Sequence, residues 1–176
     1  RLDALLALLK KLEGQPGIIF CNFKESLFDA SDFLLDNKIE HECYYGGLEQ
    51  IDRERALVKF RNGTCQLLLA TDLAARGLDI PEIKFIIHLE LPYHSNEFTH
   101  RNGRTARMNA EGAAYVLHKK SKSLPDFIKA VEPMKVEISQ LSSEKVDVQK
   151  WTTCGTASGA RRALDPLSYC EASHDG

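Results

Sequence analysis

Short runs that are apolar almost from end to end constrain this chain more than anything else in it. Gly17-Ile18-Ile19-Phe20-Cys21, Cys65-Gln66-Leu67-Leu68-Leu69-Ala70, Ile83 to Leu89 and Gly112 to His118 show little polar alternation. A strand with one wet face alternates apolar and polar residues, so such runs belong to strands covered on both faces, as in parallel sheets. Between the runs the spacing becomes helical. Leu2, Leu5, Leu6, Leu9 and Leu12 recur at helical intervals, and Gly14 and Pro16 end the series. Leu27, Ala30, Leu34 and Leu35 form a second stripe to about Asn37, with Asn22 and Glu25 placed as a capping pair at its start. Cys43-Tyr44-Tyr45, closed by Gly46-Gly47, reads as a further strand. A third helix from about Gln50 to Arg61 is expected to bury Leu57, Val58 and Phe60, with Gly63 at its C-terminal cap. A helix is also expected from Ser123, with Pro125 in its first turn, to about Val131.

Strands that alternate with helices call for right-handed crossovers and a sheet covered on both sides. The expected fold is therefore α/β, a three-layer α/β/α sandwich with a mostly parallel sheet. A length of 176 residues suits one domain with a core and a short appendage. The domain is assigned to residues 1–133, an edge strand and linker to 134–152, and a disordered tail to 153–176, where the sequence turns small, polar and aperiodic.

A formal net charge of −2 excludes a polycation that coats nucleic acid by bulk charge, so any phosphate binding must come from local clusters. No apolar run approaches the ~18 residues that a membrane-spanning helix needs, and no membrane partner is expected. The 5 cysteines form no CxxC pair and the first ones sit in strand-like runs, which fits core thiols in a reducing compartment, the cytoplasm.

In open parallel sheets, ligands bind beyond the carboxyl ends of the strands. Three polar segments follow apolar runs and should meet at that edge. Ala70-Thr71-Asp72 through Arg76-Gly77-Leu78-Asp79-Ile80 offers a hydroxyl at Thr71 and, at Asp79, an acceptor for a ribose hydroxyl. Gly46-Gly47 with Arg53 permits close approach of a ligand and supplies a cation for phosphate; a glycine turn before a charged helix face is as good a reading of those residues alone. His100-Arg101-Asn102-Gly103-Arg104-Thr105-Ala106-Arg107 carries arginines three apart and no acid. On a helical turn Arg104 and Arg107 share a face and could aim two guanidinium forks at one anion.

Together these segments resemble the DEAD-box ATP-dependent RNA helicases. Phe20-Cys21-Asn22 after an Ile-Ile strand looks like their motif IV, and Gln50-x-x-Arg53 like their QxxR element. Thr71-Asp72 with Ala75-Arg76-Gly77-Leu78-Asp79-Ile80 is similar to motif V, and His100-Arg101-x-Gly103-Arg104-Thr105-x-Arg107 to motif VI. The likeness covers about Arg1 to Val131. It implies the second, C-terminal RecA-like helicase domain of a two-domain enzyme. The chain has neither a GxxxxGK[ST] P-loop nor an Asp-Glu-Ala-Asp run. ATP, with Mg²⁺, is therefore expected on an N-terminal RecA-like partner domain, and this domain alone is not expected to hydrolyse ATP.

By the same resemblance Arg104 and Arg107 are catalytic arginine fingers, and Gly77 and Asp79 join them at the nucleotide. Asn22, Gly47, Arg53 and Thr71 hold the RNA backbone without regard to base sequence. His100 and Arg101 join the two domains when the cleft closes. Asn102, Ala106 and Gly47 depart from common family residues, Gly47 standing where an aspartate is frequent. The run from His100 to Met108 looks most like bacterial members. The alternatives are a catalytically inert RNA- or protein-binding module of the same fold and a DNA-directed helicase. The Arg-Gly-Leu-Asp of the motif V segment favours the RNA group.

Overall fold

A computed structural model describes residues 2–71, 83–94, 101, 112–118, 137–143 and 146–153. Its elements are α1 (Leu2–Lys11), β1 (Gly17–Cys21), α2 (Lys24–Asp36), β2 (Glu42–Tyr44), α3 (Gln50–Arg61), β3 (Leu67–Thr71), β4 (Phe85–His88), β5 (Gly112–His118), β6 (Glu137–Ser143) and β7 (Val146–Thr153). They build one sheet in the order β2-β3-β1-β4-β5-β7-β6. The pairings from β2 through β5 are all parallel, and β7 and β6 add an antiparallel hairpin to β5.

The continuous apolar runs are explained by two cores, one on each face. Side chains alternate across a strand, so Ile18, Phe20, Leu68, Ala70, Ile86 and Val116 pack on one side with Ala56 and Phe60 of α3. Ile19, Cys21, Leu67, Leu69, Phe85, Ile87 and Leu117 pack on the other with Leu5 and Leu8 of α1 and Leu27, Ala30 and Leu34 of α2. The placement follows from crossover handedness. The path from β1 to β2 runs one way along the sheet through α2, and the return to β3 runs the other way through α3. Right-handed connections then put the two helices on opposite faces. The three-layer α/β expectation holds.

Three details differ from the sequence reading, and the glycine cap of α3 agrees with it. Asn22 does not cap α2; the N-cap is Phe23, which makes no side-chain capping bond. Val58 is not buried but 52% exposed, because α3 turns Ala56 and Phe60 to the sheet and Leu57 only partly. Gly63 ends α3 as read: it directly follows Asn62 at φ +73°, where the left-handed backbone favours glycine and its N–H bonds Phe60 O at 3.3 Å. Within 134–152 the expected edge strand is present as β6, but the stretch read as linker is the strand β7, inserted between β5 and β6. A hairpin there pairs the backbone groups that β5 would otherwise expose. The helix expected at 123–131 and the tail beyond Thr153 lie outside the described residues. No helix among the described residues is long and apolar enough to cross a membrane.

Candidate functional site

Register brings the carboxyl ends of four strands nearly level: Cys21 pairs with Thr71, Phe20 with His88, and Tyr44 with Ala70. Asn22 leaves β1, Thr71 ends β3, Tyr45-Gly46-Gly47 leaves β2, and His88 to Leu91 leaves β4, all on one edge. The expected convergence of the strand-end loops is thus present for the described residues.

At the middle of that edge lies a buried polar cluster. Arg101 is 2% exposed and His88 fully buried. One Arg101 amine donates to Asn22 Oδ1 at 2.8 Å, the other lies 3.3 Å from His88 Nδ1, and the guanidinium carbon sits 5.3 Å from the Phe20 ring centroid. A guanidinium only donates, so His88 Nδ1 accepts and the ring hydrogen belongs on Nε2. Asn22 is oriented at both ends, its Nδ2 donating to Leu91 O at 3.0 Å, while its backbone N–H donates to Glu90 Oε2 at 2.7 Å. Burial without partners would penalise each of these groups. Together they tie β1, the segment after β4 and Arg101 into one unit.

Arg101, read from the sequence as joining a second domain, directs two guanidinium nitrogens to His88 and Asn22 of this one, and Asn22, read as holding RNA, has its amide engaged by Arg101 and Leu91.

The other expected contacts stand at the surface. Gly47 has φ +121°, in a turn where Leu48 N–H bonds Tyr45 O at 3.3 Å. The positive φ favours glycine there, and a β-carbon on Gly47 would come within 3.0 Å of Lys24 Nζ, which overhangs the loop. Arg53 Nε donates to Leu48 O at 3.2 Å and its guanidinium lies over the Tyr44 ring at 5.8 Å. Arg53 therefore braces the glycine loop and leaves its two terminal amines for a ligand. Thr71 is 9% exposed, and its hydroxyl has no partner among the described residues. Gly77, Asp79, His100, Arg104 and Arg107 lie outside the described residues.

Sequence reasoning missed His88 and Glu90, since one histidine in an apolar run reads as plain strand. It also missed Lys24, whose importance depends on a loop of another strand. Burial pushes the Cys43 and Cys65 thiols above their ordinary values, outweighing the lowering effect of their hydrogen-bond contacts with Ser31 and Leu67. Burial of this kind disfavours the thiolate, which is the reactive form.

The profile of the helicase conserved C-terminal domain matches residues 1–109. The DEAD-box ATP-dependent RNA helicase 9, mitochondrial, of Arabidopsis thaliana is 36% identical over 143 residues, 80% of this chain and 22% of that protein. The E. coli DEAD-box protein SrmB, solved bound to regulator of ribonuclease activity A, superposes with TM-score 0.67 at 28% identity, covering 76% of this chain and 77% of that one. S. cerevisiae Dbp5 bound to RNA and ADP BeF3 gives TM-score 0.67 at 27% identity, covering 75% of this chain and 35% of that one. The chain spans between 17% and 28% of the length of the curated relatives it matches. Those relatives are plant and fungal proteins, so the bacterial likeness read from His100 to Met108 is unsupported.

Proposed function

The chain belongs to the helicase conserved C-terminal domain family, and we propose that it serves as the second RecA-like half of a DEAD-box ATP-dependent RNA helicase. In this role it supplies arginine fingers for ATP hydrolysis and half of an RNA-backbone site. The observation that carries the proposal is the anchoring of Arg101 between the ends of β1 and β4. Arg104 and Arg107 follow it by three and six positions. That anchor sets the start of the motif segment at the sheet edge that also carries Thr71 and Arg53.

ATP is the substrate, brought to the cleft by the N-terminal RecA-like domain, which also holds Mg²⁺. Arg104 and Arg107 stabilise negative charge on the transferring phosphoryl group, a contribution of roughly 10³ to 10⁵ in rate for arginine fingers. Asp79 accepts from the ribose, and Gly77 admits the nucleotide close to the backbone. Thr71, the backbone at Gly47 and the terminal amines of Arg53 hold RNA phosphates, which positions a strand without reading its bases. His100 faces the other domain. Asn22 and Arg101 act from below, by fixing where the finger segment begins. ATP and RNA each favour the closed pairing of domains, so each raises affinity for the other. Closure around one bent strand separates a short duplex locally, and hydrolysis reopens the cleft. The setting we propose is cytoplasmic, in keeping with the free thiols of Cys21, Cys43 and Cys65.

Arg107→Ala in the full-length protein should cut RNA-stimulated ATPase by about 10³ or more with an unchanged melting profile, and the 176-residue chain by itself should show none. Near-normal turnover by the variant would refute the finger assignment. Turnover by the isolated chain would refute the division of labour between the two halves.

A further inference from the structure

We infer that the same sheet edge carries a stacking platform for nucleotide bases, built from Phe23 and Tyr93 beside the ammonium of Lys24. This rests on the RNA reading above and adds to it, since that reading engages only the backbone. Phe23 directly follows Asn22 and is 49% exposed; Tyr93 follows β4 and is 67% exposed. Their rings meet edge to face with centroids 6.0 Å apart. With this edge contact made, both side chains still present much of their surface to solvent.

Phe23 is also the wrong residue for local stability. It is the N-cap of α2 and makes no capping bond, where serine, threonine, asparagine or aspartate would satisfy a helix N–H and stabilise the helix. A half-exposed phenylalanine there gains little burial in return. A position that breaks a local rule without compensation points to a ligand.

The neighbouring charge says which ligand. Lys24 is exposed, lies 5.8 Å over the Tyr45 ring and overhangs Gly47, and no carboxylate pairs with it among the described residues. Exposed rings around an unneutralised cation suit a single-stranded nucleic acid, with bases on the rings and phosphate at the ammonium. The platform continues the proposed backbone track: from the Gly47 loop to Tyr93 the edge crosses β2, β3, β1 and β4, about 14 Å at ~4.8 Å per strand. Stacking accepts any base, so it leaves binding sequence-independent.

The test is equilibrium binding of single-stranded oligouridylate, and of an abasic ribose-phosphate strand of equal length, to the full-length protein. Phe23→Ser and Tyr93→Ala should each weaken oligouridylate about tenfold, the range of one base-aromatic stack, and leave the abasic strand unaffected. Lys24→Ala should weaken both strands. Phe23→Ser should melt no lower than the parent, since serine is the better cap, which separates lost contact from lost fold. Parental affinity of both aromatic variants for oligouridylate, or equal losses on the abasic strand, would overturn the platform alone, as would loss of a protein partner with RNA binding intact. A parent protein that binds neither strand would overturn the RNA reading itself.

Discussion

Arg101 keeps a permanent charge at 2% exposure by handing its hydrogens to Asn22 and His88 and lying against Phe20. Two consequences are measurable. Asn22→Ala and Arg101→Ala should each lose about 1–3 kcal/mol of unfolding free energy, because each strands a buried polar partner. The double variant should lose less than the sum, with a coupling of about 0.5–3 kcal/mol; strict additivity in urea titrations would show that the contact is idle. Arg101→Lys should not rescue, since an ammonium lacks the flat fork that reaches two acceptors. The thiols of Cys43 and Cys65 give a pH dependence with a definite sign. Burial raises both in the folded state, so the unfolded chain loses these protons first as pH rises. Their contribution is complete below the ordinary thiol range and is lost as pH climbs through the raised folded values. Melting temperature should fall more steeply over that alkaline interval in the parent than in a Cys43→Ala, Cys65→Ala variant.

Among the elements, β1 is paired on both sides, by β3 and β4. Its first residue, Gly17, has no room for a side chain: a β-carbon would overlap the ring of Phe85, its partner in β4. Gly17→Ala should therefore destabilise the fold by about 1–3 kcal/mol through overpacking. Adding Phe85→Leu should recover part of that loss, and a neutral Gly17→Ala would show that the ring moves aside freely. The short strand β2 is held from both faces of the sheet. Lys59 of α3 reaches Glu42 at 2.7 Å. On the other face Cys43 donates to Ser31 of α2 at 3.5 Å, while Ser31 shares a 2.7 Å bond with His41. His41 Nδ1 faces Ile39 O at 2.9 Å. A carbonyl only accepts, so Nδ1 carries the hydrogen and Ser31 donates to Nε2. These bonds hold the strand whose following loop carries Gly47.

At the scale of the whole molecule, one edge of one sheet gathers everything proposed to touch RNA. Arg53→Ala in the full-length protein should weaken binding of single-stranded RNA regardless of sequence and reduce the slope of log K against log salt by ~0.7, the value for one phosphate contact on a single strand. An unchanged slope would remove Arg53 from the interface. The sequence by itself determined the α/β class, the runs that became β1, β3, β4 and β5, and the motif segments at their ends. Covered strands and amphipathic helices leave periodic traces in nearest-neighbour order, and the loop motifs keep fixed spacing. Only the tertiary structure decided that Asn22 faces Arg101 rather than a helix end, that Val58 faces solvent, and that β7 enters the sheet before β6. It also decided that Lys24, Phe23 and Tyr93 share an edge with Gly47. Each of these depends on residues brought together from distant parts of the chain, such as the 79 positions between Asn22 and Arg101. Whether a polar group or an exposed ring finds a partner there is a property of packing, which spacing along the chain does not encode.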